Sequence, residues 1–444
     1  MSYLGTVTSP LISEPVTASG LRQLCVGVAR LGWPGLLWIG LWANYNSGPW
    51  HLTQTPDSYF GWLHAGRATL AFVVPALAVF TFGRRSQALR IWNPTHVWLV
   101  YSVFVFVGGV ASGQAGFNGV YWTAAYVGGI LAASSCIRPG REIVDAESLN
   151  RLTWFISLVV IVTLVIVARD SLIEGSGLSA SGYGVLDRTP SVAGMVMSRS
   201  TGMARFAAVP SLVALGLALQ GKGAWRIVGL AAYLCGGVFL YIMQGRGATA
   251  GYIGGTFFML LCSGRGGRTM MILLIVALVG AAVFNAIPTE IIDHLTRGQS
   301  VDQLKSMSGR DRAWENAWAA VSSNPLIGYG FEADRWMIGE HVHNTYMYAL
   351  VAGGIPGLGL FVGGLVWAWA LFVKLLRHPG LADSGQKLTL IQVGGVLAFF
   401  TLRSIPEVCG SNYAVDYMVM LPAILYVHVL WCHLKKAPAR QPLP

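Results

Sequence analysis

The segment Glu340-His341-Val342-His343-Asn344-Thr345-Tyr346 holds the side chains of this sequence best suited to proton transfer. It lies directly before a long apolar stretch that predicts a membrane helix. Histidine exchanges a proton near neutral pH, and a helix N-terminus offers free N–H groups and a positive dipole to an anion. We therefore predict an anion site at this junction, with a histidine that can exchange a proton beside it. The alternative is that His341 and His343 are ordinary residues of a membrane interface.

A metal site formed by Glu340, His341 and His343 is a further alternative. Alternate residues can supply two ligands from one strand, but no third His or Cys lies nearby in the sequence, and a zinc site needs at least three protein ligands. The six cysteines are scattered without a Cys-x-x-Cys pair, so neither a structural zinc site nor a disulfide framework is expected. We predict that the protein uses no metal and no other cofactor.

The composition indicates which elements must position these side chains. Of the 444 residues, 54% are hydrophobic and only 11% are charged, whereas soluble proteins carry about 25% charged residues. So few charges could not cover the surfaces of soluble domains. The apolar runs are long and unbroken, unlike the alternating segments of a membrane barrel. The sequence therefore predicts an all-α polytopic membrane protein.

Twelve stretches are apolar enough for a membrane helix, which needs roughly 20 residues. They centre on 23–43, 66–82, 95–112, 120–137, 152–168, 203–220, 225–243, 248–263, 269–287, 344–373, 388–405 and 413–433. The predicted organisation is a disordered cytoplasmic tail (1–20), transmembrane helices 1–9 (21–287), a helical periplasmic subdomain (288–343), transmembrane helices 10–12 (344–434) and a second cytoplasmic tail (435–444). Span ten contains Gly353-Gly354-Ile355-Pro356-Gly357, which predicts a kink or a half-helix.

The charged residues divide unevenly between the two sets of loops that alternate along these spans. Eighteen basic and five acidic residues fall on the side of the termini, a net charge of +13, and the opposite side carries −2 of the total of +11. The positive-inside rule then places both termini in the cytoplasm. The overall positive charge therefore reflects membrane topology and does not indicate a nucleic-acid partner.

Twelve basic residues are left on the outer side, and eleven of them are arginine. They are Arg67, Arg169, Arg188, Arg199, Arg205, Arg246, Arg297, Lys305, Arg310, Arg312, Arg335 and Arg403. The planar fork of arginine suits the recognition of phosphate, so the set predicts an outward-facing anion site. For an individual arginine, the alternatives are contact with lipid headgroups or pairing with a nearby acid.

The larger outer loop has a helical pattern of its own. Residues 288–305 predict a short amphipathic helix, and Ser308 with Asp311 is typical of a capping box that starts a second helix. Trp314, Ala317, Trp318 and Val321 recur at helical spacing, which predicts an apolar face against the membrane domain. Proline and glycine in the stretch 324–330 should end that helix.

Three segments together resemble the O-antigen ligase and polymerase superfamily of bacterial envelope enzymes. They are Ser308-Gly309-Arg310-Asp311-Arg312-Ala313-Trp314 with Asn324-Pro325-Leu326-Ile327-Gly328-Tyr329-Gly330, then His343-Asn344-Thr345-Tyr346 with Gly354-Ile355-Pro356-Gly357-Leu358, and finally Gln244-Gly245-Arg246-Gly247-Ala248. The last segment departs from the family pattern, because Gly245 stands where many relatives have serine. The contiguous similarity covers roughly 240–375.

The resemblance implies a GT-C-like fold and an inverting glycosyltransferase whose donor is a glycan on undecaprenyl diphosphate. A single long outer loop and the expected lack of an extra C-terminal domain favour a ligase, with lipid A-core as acceptor at the periplasmic face of the bacterial inner membrane. An O-antigen polymerase and a protein O-oligosaccharyltransferase are alternatives within the superfamily. A lipid-glycan flippase is the alternative from another class.

The same resemblance assigns roles to the site residues. His343 is the expected catalytic base, and Asn344 or Tyr346 positions the base or the acceptor. Five arginines are the expected ligands of the donor diphosphate: Arg205, Arg246 and Arg310, followed by Arg199 and Arg67. With arginine stabilising the leaving group, neither a metal nor a nucleotide is required.

Overall fold

The computed structural model describes most of the chain. The described residues are 31–44, 48–53, 59–82, 86, 88, 90–113, 116–167, 191–192, 195–196, 200–243, 245–283, 310–381 and 385–436. Several sequence-based predictions fall outside this range: the tail 1–20, residues 437–444 of the second tail, the amphipathic helix at 288–305, the capping residue Ser308, the motif residue Gln244 and the outer basic residues Arg169, Arg188, Arg199, Arg297 and Lys305.

Helices dominate the described residues. In chain order they are α1 (Trp33–Ala43), α2 (Trp50–Thr53), α3 (Tyr59–Phe82), α4 (Pro94–Ala111), α5 (Gly116–Ser135), α6 (Glu142–Val167), α7 (Ser200–Gln220), α8 (Ala224–Met243), α9 (Arg246–Cys262), α10 (Arg265–Val283), α11 (Arg310–Ser323), α12 (Thr345–Leu376), α13 (Gln386–Arg403) and α14 (Val415–Lys436). A short antiparallel pair, β1 (Ser191–Val192) and β2 (Met195–Val196), places Ser191 opposite Val196. A π-helical turn spans Asp334–Ile338 and a 3₁₀ turn spans Pro379–Leu381.

Each of the twelve predicted spans overlaps one of these helices, which confirms the prediction of an all-α polytopic protein. Within the described residues, seven helices are long and apolar enough to cross a membrane: α3, α4, α6, α7, α8, α12 and α14. The other five helices that coincide with predicted spans are shorter or less apolar there.

Helix α12 breaks where the sequence predicts a kink. Gly354 has φ 65° and ψ −168°, a conformation that is essentially restricted to glycine. The break frees backbone groups that bond to the preceding loop: Gly330 N–H donates to Ala352 O at 2.8 Å, and Ile355 N–H donates to Pro325 O at 2.8 Å. The outer segment is thereby attached to the kink of α12.

Helix α11 packs through a stripe that differs from the predicted one. Ala313, Ala317 and Val321 are buried, and the Trp314 indole donates to Val342 O at 2.7 Å. Trp318, which was expected on the same face, is 61% exposed. The prediction was wrong for this residue because the buried stripe follows i, i+4 spacing from Ala313, and Trp318 lies about 100° further around the helix than Ala317.

Helix α14 occupies the centre of the bundle, with every residue from Val415 to Val429 buried. The segment that leads into it, residues 404–414, is held by hydroxyl groups from distant helices. Tyr101 donates to Ser411 O at 2.8 Å, and Tyr126 donates to Gly410 O at 2.9 Å. These buried tyrosines satisfy carbonyls of an irregular backbone that water cannot reach. We call this stretch the 404–414 segment.

Candidate active site

The start of α12 and the 404–414 segment fix each other through hydrogen bonds around Thr345. Its hydroxyl donates to Glu407 O at 2.8 Å and accepts from Cys409 N–H at 2.7 Å. Its own N–H donates to Ser404 O at 3.0 Å. Two backbone stretches that are about 60 residues apart in the chain therefore become one rigid unit.

Asn344 strengthens this unit as the N-cap of α12. Its side-chain oxygen accepts from the N–H groups of Tyr346 and Met347, each at 2.9 Å, and its amide donates to Ile405 O at 2.9 Å. This satisfies two of the free N–H groups at the helix start. Asn344 therefore positions His343 through the backbone, and its hydrogen bonds within the described part of the chain do not involve the imidazole. Tyr346 is half-buried in the first turn, on the side of Cys409.

His343 faces a carboxylate across this junction. The distance from His343 Nδ1 to Glu407 Oε2 is 3.2 Å, and the imidazole is 36% exposed. A carboxylate only accepts hydrogen bonds, so Nδ1 carries the proton and Nε2 of the neutral ring is left with a free lone pair. His343 also has φ 45°, which is uncommon for a residue other than glycine and is typical of functional sites.

Glu407 is the functional residue that the sequence did not reveal. Burial raises the pKa of its carboxyl, but the hydrogen bond from His343 and the charges of Arg403 and Arg310 prevail and lower this pKa to about 2. Glu407 is therefore ionised throughout the physiological range. The available signal was an acid in an outer loop four residues after the outer arginine Arg403, but nothing in the sequence connected it with His343.

One of the predicted arginines contacts the same carboxylate, and a second lies close to it. Arg310, the first residue of α11, donates to Glu407 Oε1 at 3.3 Å and also to Pro406 O. Arg246 begins α9, and the next residue, Gly247, lies against Pro406 and Glu407. The charges of Arg246 and Arg310 are close enough to influence each other. The structure thus joins Arg310 and His343 through Glu407 and places Arg246 near Arg310.

Arg205 belongs to a neighbouring buried cluster. Its Nη1 lies 3.1 Å from Asp416 Oδ2, and Arg403 Nη1 lies 2.6 Å from the same oxygen. The Asp416 side chain is fully buried, whereas Arg205 is 18% exposed. Arg403 also reaches Cys409 Sγ at 3.2 Å, which joins the cluster to the 404–414 segment. Arg205 therefore pairs with an acid, which is the alternative to phosphate binding given above. Because two guanidinium groups share one carboxylate, the cluster keeps one positive charge.

Arg67 lies at another part of the same end of the bundle. Its Nε donates to Ala43 O at 2.6 Å, and its Nη1 is 3.3 Å from His64 Nδ1. It is close enough to the hydroxyls of Tyr121 and Tyr413 to act on them electrostatically. Arg67 is therefore near the 404–414 segment but is placed by α1 and α5, not by Glu407.

The second histidine of the motif also has a carboxylate partner. His341 Nδ1 lies 2.6 Å from Asp334 Oδ2, and the centroids of the His341 and His343 rings are 4.8 Å apart. Within the described part of the chain, no three or more His, Cys, Asp or Glu side chains are grouped as a metal site would require. The absence of a metal from the reaction remains a prediction.

Residues 230–362 match the family model described as O-antigen ligase. This match confirms the resemblance to the O-antigen ligase and polymerase superfamily. It covers just under a third of the chain and includes Arg246, Arg310, His343, Asn344 and Tyr346, whereas Arg205 and Glu407 lie outside it. No curated protein matches the chain. The family match and the apolar helices together indicate a membrane protein with activity of the O-antigen ligase type.

Proposed function

We propose that this protein is an O-antigen ligase, a glycosyltransferase that moves O-antigen polysaccharide from undecaprenyl diphosphate to a sugar hydroxyl of lipid A-core. The observation that carries the proposal is the His343–Glu407 pair with Arg310 and Arg246 beside it. It joins a base for a hydroxyl to cations for a diphosphate. The site lies at the end of the bundle that the charge distribution assigns to the periplasm, with both termini in the cytoplasm of the producing bacterium.

His343 removes the proton of the acceptor hydroxyl. Its Nε2 lone pair takes the proton, and the ionised Glu407 stabilises the imidazolium that forms. The hydroxyl oxygen then attacks the anomeric carbon of the donor sugar from the face opposite to the diphosphate, which inverts the configuration. General base catalysis of this kind contributes about 10²–10⁴-fold to the rate.

The arginines receive the leaving group. As the bond between the anomeric carbon and the phosphate oxygen breaks, its electron pair passes to the lipid diphosphate. Arg246 and Arg310 stabilise this charge by charge-assisted hydrogen bonds, and Arg205 contributes the positive charge that Asp416 leaves uncompensated. Arg199 and Arg67 complete the proposed donor set. Neither a metal nor a nucleotide takes part, so EDTA should leave turnover unchanged.

The direct test uses purified protein in detergent with undecaprenyl-diphosphate-linked polysaccharide and lipid A-core. We expect the native protein to form the joined glycolipid and His343→Ala to form it at least about 10²-fold more slowly. His433→Ala is the matched control, because His433 is exposed at the opposite end of α14. Full ligation by His343→Ala would contradict the assignment of the base.

The same preparation separates the ligase from its alternatives. A polymerase would join repeat units without lipid A-core, and a protein oligosaccharyltransferase would require a protein acceptor. A flippase would move labelled lipid-linked glycan across vesicles without forming a glycosidic bond. In a deletion strain, a ligase predicts unsubstituted core together with accumulated lipid-linked polymer, and a single repeat unit on the core would indicate a polymerase.

A further inference from the structure

His341 is held in the same way as the proposed base. Its Nδ1 lies 2.6 Å from Asp334 Oδ2, and the N–H of Val342 donates to that oxygen at 3.3 Å. Because the carboxylate accepts from Nδ1, Nε2 of the neutral His341 ring also keeps a free lone pair. The motif therefore presents two imidazoles of the same tautomer.

The structure buries a charge to orient this ring. The Asp334 side chain has no exposed surface, and its Oδ1 has no hydrogen-bond partner within the described residues. A buried carboxylate is costly unless its partners compensate it, and His341 is the side chain that pairs with it. An interfacial histidine that served only to contact solvent or lipid would not require such a partner.

The backbone around Asp334 is also specialised. Glu332 has φ 60°, and its N–H donates to the buried hydroxyl of Tyr348 at 2.9 Å. Burial raises the pKa of the Glu332 carboxyl, and the charge of Asp334 raises it further. The π-helical turn begins at Asp334 and places this carboxylate at hydrogen-bond distance from His341 Nδ1. The orientation of His341 is thus fixed independently of His343.

The two rings lie next to each other, and both are partly exposed. Their centroids are 4.8 Å apart, with 64° between the ring planes. His341 is 24% exposed and His343 is 36% exposed, and neither Nε2 has a hydrogen-bond partner within the described part of the chain. At this separation, hydroxyl groups on adjacent carbons of one sugar can each approach one ring at hydrogen-bond distance, about 2.7–3.0 Å.

We propose that His341 binds a second hydroxyl of the acceptor sugar, next to the hydroxyl that His343 deprotonates. The acceptor is then a sugar with two neighbouring free hydroxyls. His343 deprotonates one of them, and His341 recognises the other, which does not react. This inference rests on the proposed function, because it takes a sugar as the acceptor. His341 differs from His343 in that its loss weakens recognition and leaves the base in place.

The test compares His341→Gln with the native protein on the lipid A-core oligosaccharide and its monodeoxy analogues. Glutamine keeps an N–H group for Asp334, so the buried carboxylate retains a donor. We expect the KM for the full acceptor to rise about tenfold, the value of one hydrogen bond, with kcat changed less than twofold. One monodeoxy analogue should show the same rise with the native protein and no further rise with His341→Gln, because both changes remove one contact.

Two results would overturn the proposal. One is a fall in kcat that is equal for all acceptors, which would mean that His341 only positions His343. The other is a further rise in KM with every monodeoxy analogue when His341→Gln is tested, as large as the rise that the analogue causes with the native protein. Thermal denaturation of His341→Gln and of the second variant Asp334→Asn shows whether each is folded, and Asp334→Asn should reproduce the KM effect. His433→Ala serves as the unaffected control.

Binding to the donor-free protein separates this inference from the proposed function. Saturation-transfer NMR reports contact of the oligosaccharide with the protein when no transfer takes place. Suppose that the native protein transfers no glycan but binds the full oligosaccharide better than one monodeoxy analogue, and that His341→Gln removes this difference. The proposed function then fails, and the recognition of the hydroxyl by His341 stands. Equal binding of all analogues by both proteins would refute the recognition.

Discussion

His343 can act as a base because Glu407 determines which of its nitrogens carries the proton. The carboxylate faces Nδ1 at 3.2 Å and is in contact with Arg310 on its other oxygen. It therefore orients the imidazole and also holds Arg310, which we propose binds the phosphate of the donor. A neutral amide of the same shape has no charge with which to stabilise the imidazolium, and it can also donate to Nδ1 and so stabilise the wrong tautomer.

Glu407→Gln should lower kcat by at least about 10²-fold, with a smaller effect on the KM for the acceptor, since the geometry is kept and the charge is lost. Glu315→Gln, an exposed substitution on α11, should leave kcat unchanged. Steady-state kinetics with a fixed donor concentration distinguishes the two. A kcat for Glu407→Gln within twofold of the native value would show that the carboxylate has no part in the reaction.

The titration of Glu407 has a defined pH range. Its pKa in the folded protein, about 2, is below the ordinary value of 4.5, so its contribution to stability is present above about pH 4.5 and is lost as the pH falls toward 2. Between pH 5 and 9 its charge is constant. The titration of Glu407 should therefore make no contribution to the rate profile between pH 5 and 9.

At the level of secondary structure, the break in α12 determines where His343 lies. The kink at Gly354 accepts the 325–330 loop, and that loop leads through the π-helical turn to the histidines. A Cβ atom at Gly354 would lie 2.6 Å from Pro325 O and 2.7 Å from Leu326 C. Both atoms belong to the backbone, so a side chain could not be accommodated by a rotamer change.

Gly354→Ala should lower both thermal stability and turnover. A residue with a Cβ atom in this backbone region, which is essentially restricted to glycine, costs about 1–3 kcal/mol, and the clash with the 325–330 loop adds to this. Gly359→Ala is the matched control in the same helix, because a Cβ atom there meets nothing within 4 Å. The melting temperature in detergent checks the prediction, and equal melting temperatures for the two variants would contradict it.

At the level of the whole molecule, the active end of the bundle is held by charges from three separate helices. Arg205 on α7, Arg403 at the end of α13 and Asp416 on α14 meet around one carboxylate oxygen. The cluster lies beneath the 404–414 segment, which carries Glu407. Loss of the carboxylate would leave two guanidinium groups close together without their counter-ion.

Asp416→Asn should therefore destabilise the fold by about 3–5 kcal/mol, the usual cost of removing one partner from a buried ion pair. Glu315→Gln, at an exposed position of α11, should have no effect. The midpoint of thermal denaturation in detergent measures both variants. If Asp416→Asn denatures at the native temperature while binding of the donor falls, the cluster is a ligand site and not a structural one.

Much of this architecture follows from local properties of the sequence. Apolar runs located the helices, and the glycines and proline located the break in α12. Two residues of the histidine and arginine motifs, His343 and Arg310, contact the same carboxylate in the structure. Helical spacing also predicted a buried face on α11, but assigned Trp318 to it wrongly. The spacing of apolar residues indicates which side of a helix is buried, but it does not show how far around the helix the neighbouring elements extend.

The sequence by itself determined the membrane helices and the resemblance to the O-antigen ligase and polymerase superfamily, because hydropathy and short motifs are properties of residues close together in the chain. Only the tertiary structure decided that Glu407 pairs with His343, that Asp334 pairs with His341 and that Asp416 takes up Arg205. Two of these pairs join residues 64 and 211 positions apart in the chain. Their partners are selected by how the helices pack and by the need to compensate a buried charge, and neither condition can be read from spacing along the chain.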